Sequence, residues 1–121
     1  MSQENLIREA IETQRSNGWI ISSGIWFQFR DGRNPPKASP WGCVLIGTSS
    51  NAGGNFHIPQ GNWWVKVRDT LQVSDSWLQM FASGFDGKSV SSHWLSQMSL
   101  EDLQAYHLGK KMAEEYISSA S

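Results

Sequence analysis

The chain has 121 residues, a formal net charge of −1 and a single cysteine. This length fits one core, so we expect residues 1–121 to form a single domain. One cysteine excludes an intrachain disulfide, and 10 basic against 11 acidic residues give no general basic footprint for nucleic acid. No apolar run approaches the roughly 20 residues of a membrane span, and the first residues lack the apolar core of a signal peptide. These features predict a soluble, cytoplasmic protein without a membrane partner.

The most regular pattern in the first half predicts an amphipathic helix over residues 3–16. Its apolar stripe consists of Leu6, Ile7, Ala10 and Ile11. Ser2 is a suitable N-cap, because a serine hydroxyl accepts a hydrogen bond from the first helical turn. Asn17 and Gly18 predict the end of the helix, since glycine adopts the left-handed C-cap conformation without a steric penalty.

The following segment predicts short extended elements and long loops. Trp19–Ser23 and Ile25–Arg30 are expected to be extended, and the second of these segments alternates as a half-buried strand does. Residues 31–40 contain three prolines and an Asp-Gly turn, which favour a loop. Cys43–Ile46 is a short apolar run that fits a buried strand or a buried helix, and its Val and Ile favour the strand. Residues 51–62 are rich in Gly and Asn and predict a second long loop.

The second half has a helical period. The first helix of this half begins at Trp63, and Ser74 can cap the next one over Asp75–Ser83, with Gly84 at its end. Residues 88–98 fit no single element. The sequence therefore predicts a small α+β domain, mainly helical with about four helices, and a short antiparallel β element in the first half.

The last helix of the chain opens with a capping sequence, Ser99-Leu100-Glu101-Asp102. Gly109 lies among its apolar residues and predicts a close approach of a neighbouring backbone. Residues 118–121 are expected to form a flexible tail.

Residues 71–84 have the apolar spacing of a helix-turn-helix, a scaffold that many repressors use to bind DNA. The residues that match are Leu71, Val73, Ser74, Leu78, Phe81 and Gly84. In such proteins the outward side chains of the second helix contact base edges. Here Asp75 would repel phosphates, and Gln79 alone could contact a base. The spacing therefore favours helix packing, and DNA binding is kept as an alternative function.

The pattern W-L-x-x-F-x-x-G-F-D-G at residues 77–87, followed by A-Y-x-L-G at 105–109, resembles short uncharacterised bacterial and phage-encoded proteins. Cys43–Gly47 is loosely similar to a segment upstream in those proteins. The resemblance covers about a third of the chain and involves mostly structural residues. It implies a shared helical core in a bacterial protein, but no activity, cofactor or site residue.

Residues with catalytic or ligand potential are few. Cys43 and His57 could form a nucleophile and base, but a thiol in an apolar run is usually buried and inert. His57, His93 and His107 lack the spacing of metal ligands, so no metal or cofactor is predicted. An enzyme that uses Cys43 and His57, or a small-ligand protein, is the second alternative.

Seven tryptophans are the unusual feature of the composition, and several lie in or beside the Asn- and Gly-rich loops. Exposed indole rings stack on ligands and are enriched at the centres of protein interfaces. The candidate binding residues are Trp41, Phe56, His57, Trp63 and Trp64, with Trp26 beside the same loops. We therefore expect a non-catalytic protein-interaction or accessory module that contacts another protein or a second copy of itself.

Overall fold

The computed structural model describes residues 2–48, 50–52, 55–57 and 62–117, and divides into two compact units, Met1–Gln72 and Val73–Ser121. The described part of the first unit contains α1 (Gln3–Ser16), β1 (Ile20–Ile21), β2 (Phe27–Gln28), β3 (Lys37–Ala38), α2 (Pro40–Gly47), β4 (Ser50–Ala52), β5 (Asn55–His57) and α3 (Trp63–Leu71). The second contains α4 (Asp75–Phe85), α5 (Ser92–Gln97) and α6 (Leu100–Tyr116). The predicted class, a small and mainly helical α+β protein with its sheet in the first half, is confirmed.

Among the described residues, no helix is both long enough and apolar enough to cross a membrane. The predicted tail, residues 118–121, lies outside the described part of the chain.

Helix α1 has the bounds that the sequence predicts. The Ser2 hydroxyl accepts a hydrogen bond from the Asn5 amide at 3.2 Å, which satisfies one of the free donors of the first turn. Ile7 and Ile11 are buried. After the helix, Gly18 has a φ of 94°, the conformation for which glycine was expected there.

Strands β1, β3 and β2 form a small sheet in that order. β2 pairs with β3 in the antiparallel sense, but β1 pairs with β3 in the parallel sense, so the sheet is mixed rather than wholly antiparallel as predicted. β3 lies within residues 31–40, where the sequence predicts a loop. The prolines of this segment lack N–H groups, but their carbonyls still accept, and Ile20 donates to the Pro36 carbonyl at 2.9 Å.

The prediction of a strand at Cys43–Ile46 is wrong, because these residues lie in helix α2. Ser39 is the N-cap of this helix and Pro40 occupies the first turn, where a missing N–H costs nothing. All residues from Pro40 to Ile46 are buried. A helix that is apolar on every side belongs in the interior of a core, and here it contacts α1, α3 and β3.

The first turn of α2 lies against the backbone of Trp26. The Ser39 hydroxyl accepts from the Gly42 amide at 3.1 Å and donates to the Trp26 carbonyl at 3.2 Å. The Ser39 amide donates to the same carbonyl at 3.1 Å. A side chain at Gly42 would overlap this carbonyl, so glycine is required for the approach.

Between α2 and α3, residues 51–62 contain more structure than the predicted loop. β4 and β5 pair in the antiparallel sense, with Asn51 opposite Phe56. Helix α3 then begins after Asn62, whose side-chain carbonyl accepts from the amides of Trp64 and Val65 at 3.0 and 3.3 Å. Trp63 therefore starts this helix, as the period predicts.

In the second unit, α4 packs against α6. The N-caps Ser74 and Ser99 act as predicted, since each hydroxyl accepts from an amide of the first turn. Helix α5 forms within residues 88–98, where the sequence fits no single element. The Tyr106 hydroxyl donates to the Lys88 carbonyl at 3.2 Å and so ties the connection after α4 to α6.

Two glycines set the distance between α4 and α6. A side chain at Gly109 would overlap the Phe81 carbonyl and lie 2.8 Å from the Phe85 nitrogen, which confirms the predicted close approach. Gly84 was expected to end α4, but it is a buried residue inside the helix. A side chain there would overlap the Tyr106 carbonyl, so this glycine is needed for packing rather than for a turn.

We expect Gly109→Ala to destabilise the protein by about 1–3 kcal/mol, the usual cost of overpacking. Alanine favours helix by about 1 kcal/mol over glycine, but the overlapping atoms belong to a helix backbone that cannot rotate away. Urea unfolding followed by circular dichroism measures the change. Gly47→Ala is the matched control, because no described atom lies within 4 Å of the added methyl group. Equal stability of Gly109→Ala and the wild type would contradict the close packing.

We expect Ser39→Ala to lower the free energy of unfolding by about 2 kcal/mol, since it removes an N-cap and leaves the Gly42 amide without its acceptor. Ser74→Ala removes an exposed N-cap from α4 and should cost about 1 kcal/mol or less. Urea unfolding of the two variants shows how much more stability is lost at the buried cap than at the exposed one. Similar losses for both would show that the buried bond to Trp26 adds little.

Candidate functional site

Six aromatic side chains of the first unit form a continuous series, here called the aromatic row. In order of contact they are Trp19, Phe29, Phe27, Trp63, Trp26 and Trp64. The ring centroids of successive members lie 6.0, 5.4, 5.2, 5.9 and 6.0 Å apart. Their planes are tilted or edge-to-face, the arrangement in which the positive edge of one ring meets the negative face of the next.

Three local features hold the row in place. Strand β2 carries Phe27, and its pairing with β3 places Phe27 beside Ala38. The Trp26 backbone is fixed by its carbonyl contact with Ser39. The Asn62 cap fixes the first turn of α3, which carries Trp63 and Trp64. These hydrogen bonds position the backbone that carries four members of the row, Phe27, Trp26, Trp63 and Trp64.

The row is only partly covered within the described structure. Phe29 and Trp63 are 49% and 36% exposed, and the other four members are half-buried. Ile20, next to Trp19 in the chain, is 47% exposed. Large apolar side chains that remain this accessible in a group mark a contact surface more often than scattered single ones do.

The segment that follows β2 adds positive charge beside the row. Arg30 and Arg33 are exposed, and so is Lys37 on β3, which pairs with Gln28. Asp31 is the one acidic residue between positions 28 and 37. The segment that carries Phe29 therefore has more basic than acidic side chains, which favours an acidic group on whatever contacts it.

The structure separates the predicted binding residues. Trp63 and Trp64 come together in the row, and both contact Trp26. Trp41 is 5% exposed in α2 and belongs to the core. The side chains of Phe56 and His57 lie outside the described part of the chain.

Four members of the row were not among the predicted binding residues: Trp19, Trp26, Phe27 and Phe29. The signal for two of them was present in the sequence, since Phe27 and Phe29 alternate along one strand and so share a face. Their nearness to α3, however, depends on contacts between residues more than 30 positions apart, which no local pattern encodes.

The helices of the predicted helix-turn-helix are α3 and α4, and the boundary between the two compact units falls in the turn that joins them. Gln72 makes this turn in the left-handed conformation, with a φ of 58°. Asp75 and Gln79 are exposed, as expected. Arg68 Nε donates to Asp69 Oδ1 at 3.1 Å, so part of the small positive charge of α3 is neutralised. DNA binding remains an alternative prediction without added support.

Cys43 is fully buried in α2, among apolar residues. Burial raises the pKa of its thiol to about 12, because the thiolate would lose its hydration. The predicted partner, His57, has its side chain outside the described residues. Within the described residues there is also no group of three or more His, Cys, Asp or Glu side chains that could hold a metal ion.

We expect iodoacetamide at pH 7.5 to alkylate Cys43 far more slowly in the native protein than in urea. The pKa rises from 9.0 to about 12, so the thiolate fraction falls about 10³-fold on folding. Mass spectrometry of timed samples measures the two rates. Labelling of the native protein at the unfolded rate would show that the thiol is accessible and would revive a nucleophilic role.

The same shift has a consequence for stability. The folded state holds the Cys43 thiol proton more tightly than the unfolded chain does. The free energy of unfolding therefore includes a contribution from this thiol, which is complete below pH 9 and is lost as the pH rises towards 12. Cys43→Ala should therefore lose less stability than the wild type between pH 8 and pH 10.5, as measured by urea unfolding. If the free energy of unfolding fell equally with pH in the two proteins, the raised pKa of Cys43 would be contradicted.

Comparison with known proteins adds no family or relative. No protein-family model, no curated protein and no solved structure matches the chain. The resemblance to short bacterial and phage-encoded proteins therefore remains a prediction.

Proposed function

We propose that this protein is a protein-interaction or accessory module, and that it binds its partner through the aromatic row. The observation that carries the proposal is the exposure of Trp63 and Phe29 within a row of six contacting rings, in which the backbones at Trp26 and at the start of α3 are held by hydrogen bonds. Aromatic residues that are rigid before binding lose little conformational entropy on contact, which favours affinity. With one cysteine, which is buried as a thiol, we place this activity in a reducing cytoplasm.

The charges beside the row indicate the chemistry of the partner. Arg30, Arg33 and Lys37 would meet acidic side chains, while Phe29 and Trp63 would meet apolar ones. Tryptophan and arginine are enriched among the residues that contribute most to protein interfaces. The partner segment should therefore combine aromatic or aliphatic residues with Asp or Glu.

The proposal is tested by selecting binders from a random peptide library against the immobilised full chain. We expect enriched peptides to combine acidic with large apolar residues, and Trp63→Ala to weaken their binding at least about tenfold, as at an interface hot spot. Affinities are measured by fluorescence anisotropy of labelled peptides. Added salt should weaken binding further, because the basic side chains are exposed.

Trp94→Ala is the matched control. Trp94 is 64% exposed but lies on α5, outside the row, so the same chemical change should leave peptide binding unaltered. Equal weakening by both variants, or peptides that bind Trp63→Ala as well as the wild type, would refute the proposal.

A second copy of the chain is one partner that this surface could take. Light scattering across a range of protein concentrations tests for a homodimer, since its mass would double as the concentration rises. If the row forms that interface, Trp63→Ala restores the monomer mass and Trp94→Ala does not. A constant monomer mass for the wild type would direct the search to a different protein.

A further inference from the structure

The first unit also contains an open groove of about 330 Å³, a volume within the range of small-ligand sites. It is lined by residues of α1 and by the last residues of α2 and α3. None of the aromatic row lines it. Its function is therefore independent of the interaction proposed for that row.

Two polar side chains of the groove, Thr48 and Thr70, offer a ligand only hydrogen-bond acceptors, whereas Thr13 and the Gln14 amide, which also line it, can donate as well. Thr48 Oγ1 donates its proton to the Leu45 carbonyl at 2.7 Å, and Thr70 Oγ1 donates to the Lys66 carbonyl at 2.8 Å. A hydroxyl has one proton, so both oxygens present only lone pairs to a ligand. The Glu9 carboxylate adds a third acceptor and a negative charge.

The helix ends reinforce this preference. α2 ends at Gly47 and α3 ends at Leu71, and both residues line the groove. The C-terminus of a helix carries a partial negative charge, which favours a cation within about one turn. No Lys, Arg or His is among the described lining residues.

The remaining walls are aliphatic, formed by Leu6, Ala10, Val44 and Leu71. Such walls suit a hydrocarbon body rather than a second charged or strongly hydrated group. We propose that the groove binds a small primary amine with an aliphatic body, its ammonium group beside Glu9 and the two threonine oxygens. A free small molecule is the expected occupant, because the volume matches a ligand of that size.

The test uses n-hexylammonium chloride, with 1-hexanol and sodium hexanoate as ligands of similar shape. Each is titrated at low ionic strength into the ¹⁵N-labelled full chain, and the amide chemical shifts are followed. We expect the ammonium ion to shift the amides of Thr13, Thr48 and Leu71 and to bind about tenfold more tightly than hexanol. Hexanoate should bind more weakly than hexanol, since its charge has the wrong sign.

Glu9→Gln should weaken binding of the ammonium ion roughly threefold, the size of one exposed ion pair, and leave hexanol unchanged. Glu12→Gln is the matched control, because Glu12 lies on the same helix, pairs with Arg15 and does not line the groove. Trp63→Ala tests whether the ammonium ion binds the aromatic row through a cation–π contact instead. We expect this variant to bind the ion as tightly as the wild type does. Equal affinities for the amine and the alcohol, no loss in Glu9→Gln, or shifts that disappear in Trp63→Ala would each overturn the proposal.

Discussion

The first unit depends on the contact between the start of α2 and the backbone of Trp26. Ser39 caps the helix and also bonds the Trp26 carbonyl, so one buried side chain satisfies donors and acceptors from two elements. Gly42 allows the helix to come this close, because any side chain there would overlap the carbonyl. The contact joins the sheet to the buried helix, around which α1 and α3 pack.

This arrangement explains how the tryptophans are divided between core and surface. α2 occupies the interior, so Trp41 on this helix contributes to the core and is unavailable to a partner. Trp26 precedes β2, and Trp63 begins α3, which places both at the ends of elements where side chains reach solvent. A chain rich in tryptophan thus uses the same residue type for stability and for an accessible surface, according to the element that carries it.

The two candidate surfaces of the first unit have opposite electrostatic preferences. The aromatic row lies beside Arg30, Arg33 and Lys37, whereas the groove presents Glu9, hydroxyl lone pairs and two helix C-termini. Neither surface includes an activated nucleophile. Cys43 lies in the apolar core, and its raised pKa keeps the thiol protonated at neutral pH. The partner proposed for the row and the amine proposed for the groove therefore differ in the charge that each surface would attract.

The sequence by itself determined the features that depend on neighbouring residues. The caps Ser2, Ser74 and Ser99, the bounds of α1 and the role of Gly109 follow from local patterns, because a cap or a helical face involves residues only a few positions apart. The mainly helical α+β class followed from the same signals.

Tertiary structure decided the remaining features. The apolar run Cys43–Ile46 fits a strand or a helix, and its Val and Ile favoured the strand, but burial on every side in the core goes with the helix that begins after the Ser39 cap. β3 arises among prolines because a strand on each side supplies partners for its backbone groups. The aromatic row and the groove bring together residues far apart in the chain. Their contacts depend on how the elements pack, which the local pattern of any one segment does not contain.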